Sequence, residues 1–160
     1  MSSFEPISIC QLSTNDLALM EGLLATFGEA FDEVDTYSSS RPSNAYLKRL
    51  LNSDYFIALV ALKNGSVVGG IAAYELQKFE QERSEICIYD LAVAAAHRRE
   101  GIATALIQEL KKIAVARAAY VIFVQADIGD DPAIALYTKL GAREDVLHFD
   151  IAVAVSDDDA

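Results

Sequence analysis

A short basic turn, Arg98-Arg99-Glu100-Gly101, has the composition needed to hold a phosphate group. It separates an apolar, strand-like run that ends at Val93 from a helix-like periodicity that continues to Ala118. The start of a helix presents unpaired backbone N–H groups and the positive end of the helix dipole, so anions bind there. Gly101 lets an anion approach the backbone, and the arginines add positive charge. The turn therefore predicts a phosphate or pyrophosphate site.

Hydrophobic patterning surrounds this turn with strands and helices. Alternating or continuous apolar runs predict strands, and apolar residues recurring every three or four positions after capping residues predict helices. The predicted strands cover 7–12, 55–62, 67–76, 85–93, 120–126 and 146–155, and the predicted helices follow residues 13–16, 42–43, 100 and 131. The strand–helix–strand unit around the turn implies a right-handed crossover between parallel strands.

Local patterns sharpen several of these elements. Asn64-Gly65 predicts a tight hairpin turn, and Gly69-Gly70 predicts a bulge or a close neighbour in the next strand. The run over 28–41 mixes acidic and aromatic residues, which predicts a surface loop: either a solvated connector or one wall of a site for a polycation. The apolar run over 120–126 is typical of a strand in the middle of a covered sheet. Asp131 is expected to cap the helix after it.

Length and charge limit the class of protein. The 160 residues predict one domain over 1–155 and a disordered acidic tail over 156–160. The net charge of −11 argues against a nucleic-acid partner; it fits a cationic substrate or solubility alone. Neither a membrane span nor a signal peptide is recognisable, so we expect no membrane partner and a cytoplasmic protein. Cys10 and Cys87 fit no metal-ligand spacing and are expected to be reduced and buried.

Taken in order, these elements resemble the GCN5-related N-acetyltransferase (GNAT) superfamily over nearly the whole chain. Two segments carry the resemblance: Asp90 to Ala103, which contains Arg-x-x-Gly-x-Ala, and Ala135 to Ala142. The motif ends on Ala103 rather than on glycine. The resemblance implies an α/β (α+β) fold with a mixed, mostly antiparallel central sheet and helices on both faces.

Within this superfamily the chain is most similar to the aminoglycoside 3-N-acetyltransferases of type I. The similar stretches are 79–86, 89–93, 124–133 and 147–150. The resemblance implies transfer of an acetyl group from acetyl-CoA to the 3-amino group of gentamicin-type aminoglycosides, and thus antibiotic resistance.

The resemblance also implies where acetyl-CoA binds. Its pyrophosphate would lie on the backbone amides of the turn, and its pantetheine arm would pair with the preceding strand, which implies a splay or bulge in the sheet. The residues that this assigns to the cofactor are Leu91, Ala92, Val93, Arg98, Arg99, Glu100, Gly101, Ile102, Ala103 and Thr104.

Three residues are candidates for catalysis if an amine attacks the thioester directly. Tyr137 matches the tyrosine that the superfamily places near the CoA sulfur, where it can protonate the leaving thiolate; the alternative is a packing tyrosine. A carboxylate or a water chain must take a proton from the amine. Asp90 is the first candidate, because a charge in an apolar strand needs a partner; the alternative is a structural carboxylate. Glu85, at the far end of that strand, is the second.

A cationic antibiotic requires spaced carboxylates, each of which pairs with an ammonium group. The candidates for binding the substrate are Asp127, Asp130, Asp150, Glu80 and Asp35. Asp127 and Asp130 are also third candidates for the base, and Asp130 can instead cap a helix. The apolar, edge-like segment over 146–155 predicts a homodimer.

Two other functions remain open at this point. One is an N-acetyltransferase for another amine, such as a protein, a polyamine or a metabolite. The other is a non-catalytic sensor that binds acyl-CoA. Tyr137 and Asp90 favour catalysis over sensing, and the acidic residues favour an aminoglycoside over other acceptors.

Overall fold

The computed structural model describes residues 6–39 and 41–154, in two compact units, Met1–Gln125 and Ala126–Ala160. The first unit contains a five-stranded sheet of order β1-β2-β3-β4-β5. Its strands are β1 (Ser8–Gln11), β2 (Phe56–Lys63), β3 (Ser66–Lys78), β4 (Arg83–Val93) and β5 (Ala119–Val124). The helices are α1 (Leu17–Ala30), α2 (Asn44–Leu51), α3 (Ile102–Ala116) and, in the second unit, α4 (Asp131–Leu140). No helix in the described ranges is long and apolar enough to cross a membrane.

The sheet is mixed, as the resemblance implied. Strands β1 to β4 are antiparallel neighbours, whereas β4 and β5 are parallel, which confirms the prediction from the strand–helix–strand unit. The β2–β3 hairpin turns through Asn64 and Gly65, whose φ angles of 52° and 77° suit the predicted tight turn.

Gly69 and Gly70 of β3 have the close neighbours that were predicted, and these neighbours show that helices cover both faces of the sheet. A Cβ atom at Gly70 would collide with Leu23 of α1, whereas a Cβ atom at Gly69 would lie 3.4 Å from Ile102 of α3. Consecutive residues of a strand point to opposite faces, so α1 and α3 pack on opposite sides. Gly70 is required because α1 and the Leu59 carbonyl oxygen lie too close for a Cβ atom, and Gly69 because the Ala92 carbonyl oxygen of β4 would lie 2.9 Å from one.

A one-residue bulge in β4 decides which face Asp90 occupies. Ala73 pairs with Ile88, but Ala72 pairs with Asp90, so Tyr89 is an additional residue on β4. In an unbroken strand, Ile88 and Asp90 would share one face. Because of the bulge, Ile88 is buried on the α3 face, while Asp90 lies beside Ala72, which packs on the α1 and α2 side.

The two parallel strands separate shortly before this bulge. Pairing between β4 and β5 ends at Ile88 and Val124. Beyond that point Leu91 to Val93 pair with β3 on one side, and on the other side no strand of the described ranges lies against them. The sheet therefore has both the splay and the bulge that the resemblance implied.

The connection between α1 and α2 is more ordered than the predicted surface loop. Helix α1 continues through Gly28 to Ala30, and a π-helical turn covers Asp35–Ser39. The prediction of a loop from residue 28 was wrong because Gly28 lowers helix propensity without ending the helix. At the start of α2, Ser43 caps the helix as expected and accepts a hydrogen bond from the Tyr46 amide at 3.2 Å.

Four further predictions require correction. β5 forms the edge of the described sheet, and Tyr120 and Val121 are exposed, so it is not a central strand. Residues 141–154 form no strand, and residue 155 and the predicted tail over 156–160 lie outside the described residues. The cap of α4 is Asp130 rather than Asp131. The thiols of Cys10 and Cys87 are free but only half-buried.

Candidate active site

The carboxylate of Asp90 lies at the centre of an acidic and aromatic cluster on the α1 side of the sheet. The hydroxyl group of Tyr37 donates a hydrogen bond to Asp90 Oδ1 at 3.2 Å. Burial raises the pKa of Asp90, the Tyr37 hydrogen bond opposes this rise, and the nearby charge of Glu33 adds to it. A carboxyl with a raised pKa is a better proton acceptor than an ordinary aspartate.

Tyrosine rings line the surface beside Asp90. Tyr89, the bulged residue, packs edge-on against Tyr74 with ring centroids 6.0 Å apart, and 73% of its surface is exposed. Tyr74 in turn packs against Phe56 of β2 at 5.3 Å. A carboxylate beside exposed aromatic faces is suited to a cationic ligand with apolar ring surfaces.

The basic turn has the backbone geometry of an anion site. Arg99 and Gly101 have positive φ angles of 64° and 78°, and α3 begins at Ile102 without a side-chain cap. The first amides of α3, which include those of Ala103 and Thr104, are therefore not satisfied by a capping side chain. A Cβ atom at Gly101 would meet no atom within 4 Å, so the space above the turn is open.

Charged side chains of the turn form hydrogen bonds and ion pairs with neighbouring residues of the chain. Arg98 donates from Nε to the Val93 carbonyl oxygen at 3.4 Å, which connects the turn to the end of β4. Glu100 pairs with Lys63 at 3.4 Å and lies 3.5 Å from His97 Nδ1. The free edge of β4 and the open turn thus lie on one continuous segment, and they fit the pantetheine arm and pyrophosphate of a CoA thioester.

Two predicted site residues lie at the opposite end of β4 from Asp90. Glu85 accepts a hydrogen bond from the Tyr120 hydroxyl at 3.1 Å and lies 3.7 Å from Lys78 Nζ. Glu80 pairs with Lys78 at 3.7 Å and with Arg83 at 3.5 Å. These contacts give both carboxylates structural partners. Asp35 is the first residue of the π-helical turn that also contains Tyr37. It therefore lies in the same connection between α1 and α2 as the hydrogen-bond partner of Asp90.

The remaining predicted residues belong to the second unit. Asp130 accepts a hydrogen bond from the Ala133 amide at 3.4 Å as the cap of α4, and the Asp127 carbonyl accepts one from the Asp130 amide at 3.1 Å. Burial and then the charge of Asp130 raise the pKa of Tyr137, which keeps its phenol protonated at neutral pH. Asp150 is exposed and pairs with His148 at 2.9 Å.

The sequence profile of the Acetyltransferase (GNAT) family matches residues 18–142. The chain belongs to this family. Members of the GNAT family use acetyl-CoA, which agrees with the open turn and the free strand edge of this GNAT acetyltransferase. No curated protein matches the chain.

Three solved structures are similar to this GNAT acetyltransferase. An aminoglycoside acetyltransferase from an uncultured soil metagenomic sample is 69% identical, with a TM-score of 0.92, over 93% of this chain and 99% of that one. A second soil metagenomic aminoglycoside acetyltransferase, in complex with sisomicin, is 32% identical, with a TM-score of 0.86, over 92% and 97%. A ribosomal-protein-alanine N-acetyltransferase from Brucella melitensis biovar Abortus 2308 is 26% identical, with a TM-score of 0.72, over 93% and 100%.

Sequence reasoning missed the tyrosines around Asp90. Tyr37 was placed in a surface loop and Tyr89 in a regular strand, without a role for either side chain. The aromatic residues interleaved with acids over 31–37 were the available signal for Tyr37. The resemblance implied a splay or bulge next to the cofactor strand, but no residue pattern located the additional residue at Tyr89.

Proposed function

We propose that the chain transfers the acetyl group of acetyl-CoA to the 3-amino group of gentamicin-type aminoglycosides and thereby confers resistance. The observation that carries this proposal is the 69% identity, over nearly the full length of both chains, to an aminoglycoside acetyltransferase. The acidic, tyrosine-lined surface around Asp90 supports a polycationic acceptor.

Acetyl-CoA would be held by the basic turn and the free edge of β4. When bound, it supplies the thioester carbonyl that the amine attacks. Backbone amides at the start of α3 would donate hydrogen bonds to its pyrophosphate oxygens, and Arg98 and Arg99 would add positive charge. Leu91, Ala92 and Val93 would contribute main-chain groups, for which the splay beyond Ile88 leaves room.

Asp90 would act as the general base. The substrate ammonium group first loses a proton to this carboxylate, and the neutral amine nitrogen then bonds to the thioester carbonyl carbon as the C–S bond breaks. The half-buried position and raised pKa of Asp90 support this role over Glu85, which has Lys78 and Tyr120 as partners.

Tyr137 would act as the general acid. Its phenol gives its proton to the departing thiolate as the C–S bond breaks. The phenolate then regains a proton through solvent from the nitrogen of the new amide, which still carries a second proton after the attack, so the products are a neutral amide and a free thiol. The raised pKa of Tyr137 supports a protonated phenol at the pH of the reaction.

Substrate ammonium groups would pair with a subset of the predicted carboxylates. Asp35, Asp127, Asp130 and Asp150 remain candidates for this role. Glu80 is a weaker one, because its two ion pairs would have to be broken first.

A protein N-terminus is the second candidate acceptor. The 26% identity to a ribosomal-protein-alanine N-acetyltransferase favours it. This similarity is weaker than the similarity to either aminoglycoside enzyme. A non-catalytic acyl-CoA sensor is the third possibility, and a turnover assay separates it from both enzymes.

Thiol release from acetyl-CoA tests the proposal directly. We expect thiol release with sisomicin and with gentamicin. We expect no thiol release with spermidine or with a peptide that begins with alanine. Two-dimensional NMR of the product is expected to place the acetyl group on the 3-amino nitrogen, and expression in a susceptible bacterium is expected to raise the inhibitory gentamicin concentration. Release with the peptide alone would replace the proposal by the second candidate. Acetyl-CoA binding without any turnover would favour the sensor.

We also propose that the enzyme works as a homodimer in the cytoplasm, where acetyl-CoA is available. Alternate residues of the 146–153 segment support self-association, because their apolar side chains are exposed.

A further inference from the structure

The hydroxyl group that contacts Asp90 comes from a connection held rigidly by aromatic packing. The ring of Tyr37 packs edge-on against Phe27, with centroids 6.1 Å apart, and against Phe31 at 5.9 Å. Phe27 is fully buried in the core. A Cβ atom at Gly28 would lie 3.2 Å from Tyr37 Cβ, so the glycine allows the turn to approach α1. These contacts fix the position of the Tyr37 ring.

The direction of the hydrogen bond is determined by the two protonation states. Burial, then the charge of Asp90 and its hydrogen bond, raise the pKa of Tyr37 to about 12, so its phenol is a donor at neutral pH. The other titratable groups near Asp90 are Glu33 of the same connection, Tyr74 of β3 and Tyr89 of β4. Within 6–39 and 41–154, the structure gives Asp90 no ion pair with a lysine or arginine.

We infer that Tyr37 is a positioning residue: its hydroxyl group orients the Asp90 carboxylate and keeps it ionised for proton transfer from the acceptor. The inference rests on the proposed role of Asp90 as base. A hydrogen bond to an ionised group favours the charged form, so this contact opposes the effect of burial and of Glu33. It occupies one lone pair of Oδ1 and leaves Oδ2 available to the amine.

The Tyr37→Phe variant removes the hydroxyl group and keeps the aromatic packing. We expect kcat to fall about tenfold, the value for a bond to a charged group, and the acid limb of kcat/KM to move to higher pH. The affinity for CoA should stay unchanged. The melting temperature should fall modestly at neutral pH, because the lost hydrogen bond also stabilises the ionised carboxylate in the folded protein. In an Asp90→Asn background, Tyr37→Phe should cause no further loss, because it acts through Asp90.

A matched control uses the other candidate base of β4, Glu85. Tyr120 makes the same kind of hydrogen bond to Glu85, at 3.1 Å. Tyr120→Phe should therefore leave the pH profile unchanged. If Tyr120→Phe moved the acid limb and Tyr37→Phe did not, the inference would be overturned and the base would be Glu85.

A measurement without turnover separates this inference from the proposed function. The titration midpoint of the Asp90 carboxyl, followed by carbon-13 NMR, should rise in Tyr37→Phe. An unchanged midpoint overturns the inference even if the enzyme acetylates aminoglycosides. A raised midpoint together with full activity of Asp90→Asn would support the orienting contact but overturn its part in catalysis, and the general-base role with it.

Discussion

Asp90 combines a half-buried carboxylate with a hydrogen-bond donor and a nearby acid. Its raised pKa, caused first by burial, places its titration above the value of about 3.9 for a free aspartate. Only the ionised carboxylate can accept a proton. At the scale of single residues, the pH dependence of the reaction is therefore the property that best distinguishes a base from a structural carboxylate.

We expect kcat/KM for sisomicin to fall as pH decreases through the raised pKa of Asp90. Asp90→Asn should lower the rate about 100-fold or more and remove this acid limb, because an amide accepts no proton. The measurement is a pH–rate profile of thiol release. Glu85→Gln is the control and should retain the limb; a limb lost with Glu85→Gln but kept with Asp90→Asn would assign the base to Glu85.

Tyr137→Phe should lower kcat about 100-fold while the protein remains folded, because the variant cannot protonate the thiolate. Single-turnover thiol release and a thermal melt measure the two effects. Thr138→Ala on the same helix removes the 2.6 Å hydrogen bond to the Ile134 carbonyl and controls for a disturbed α4. A rate within about twofold of the wild type would exclude Tyr137 from the mechanism.

The segment from β4 through the turn to α3 brings the proposed base and the proposed cofactor site together at the scale of elements. The bulge at Tyr89 turns Asp90 toward α1. The residues that follow stay paired with β3 but are no longer paired with β5. The left-handed conformation at Gly101 then begins α3 with uncapped amides. A single continuous segment thus presents a carboxylate on one face and main-chain groups at an open edge.

Gly101→Asn should raise the dissociation constant for CoA about tenfold or more. Asparagine tolerates the left-handed conformation, so the turn keeps its shape while a side chain fills the open space above it. Calorimetric titration with CoA measures the effect. Gly65→Asn, at a φ of 77° in the β2–β3 turn, is the matched control. Equal CoA affinity in both variants would contradict a phosphate site at Gly101.

At the scale of the whole molecule, the described part of the chain has an exposed apolar segment after α4. Four alternate residues after α4 are apolar, and each is at least 77% exposed: Leu147, Phe149, Ile151 and Val153. Residues 141–154 form no strand in the described chain. Burying this apolar row would stabilise an assembly, which supports a second copy of the chain as its partner.

Light scattering should therefore give twice the 17.4 kDa mass of one chain. The double substitution Phe149→Asp and Ile151→Asp should shift the protein toward the monomer, since charges would be buried in the contact. Ala152→Asp adds one charge between two of these apolar residues without removing any of them, and it should leave the dimer intact. A monomeric wild-type protein at micromolar concentration would contradict the prediction.

Sequence patterns determined the features that depend on neighbouring residues. The strands β1 to β5, the parallel crossover, the Asn64-Gly65 turn and the turn that begins α3 after Gly101 all follow from periodicity, turn chemistry or helix-end physics. The family motif in the same segment identified a GNAT acetyltransferase. These features were predictable because their determinants lie within a few residues of one another.

Only the tertiary structure decided the surroundings of Asp90. Its hydrogen-bond partner Tyr37 is 53 residues away in the chain, and a one-residue bulge reverses the face on which its side chain lies. The edge position of β5 in the described sheet and the absence of a strand over the described residues 141–154 depend in the same way on long-range pairing rather than on apolar content. The sequence alone identified Asp90 as a carboxylate in an apolar strand. Packing between distant segments determined its hydrogen-bond partner and the face of the sheet on which it lies.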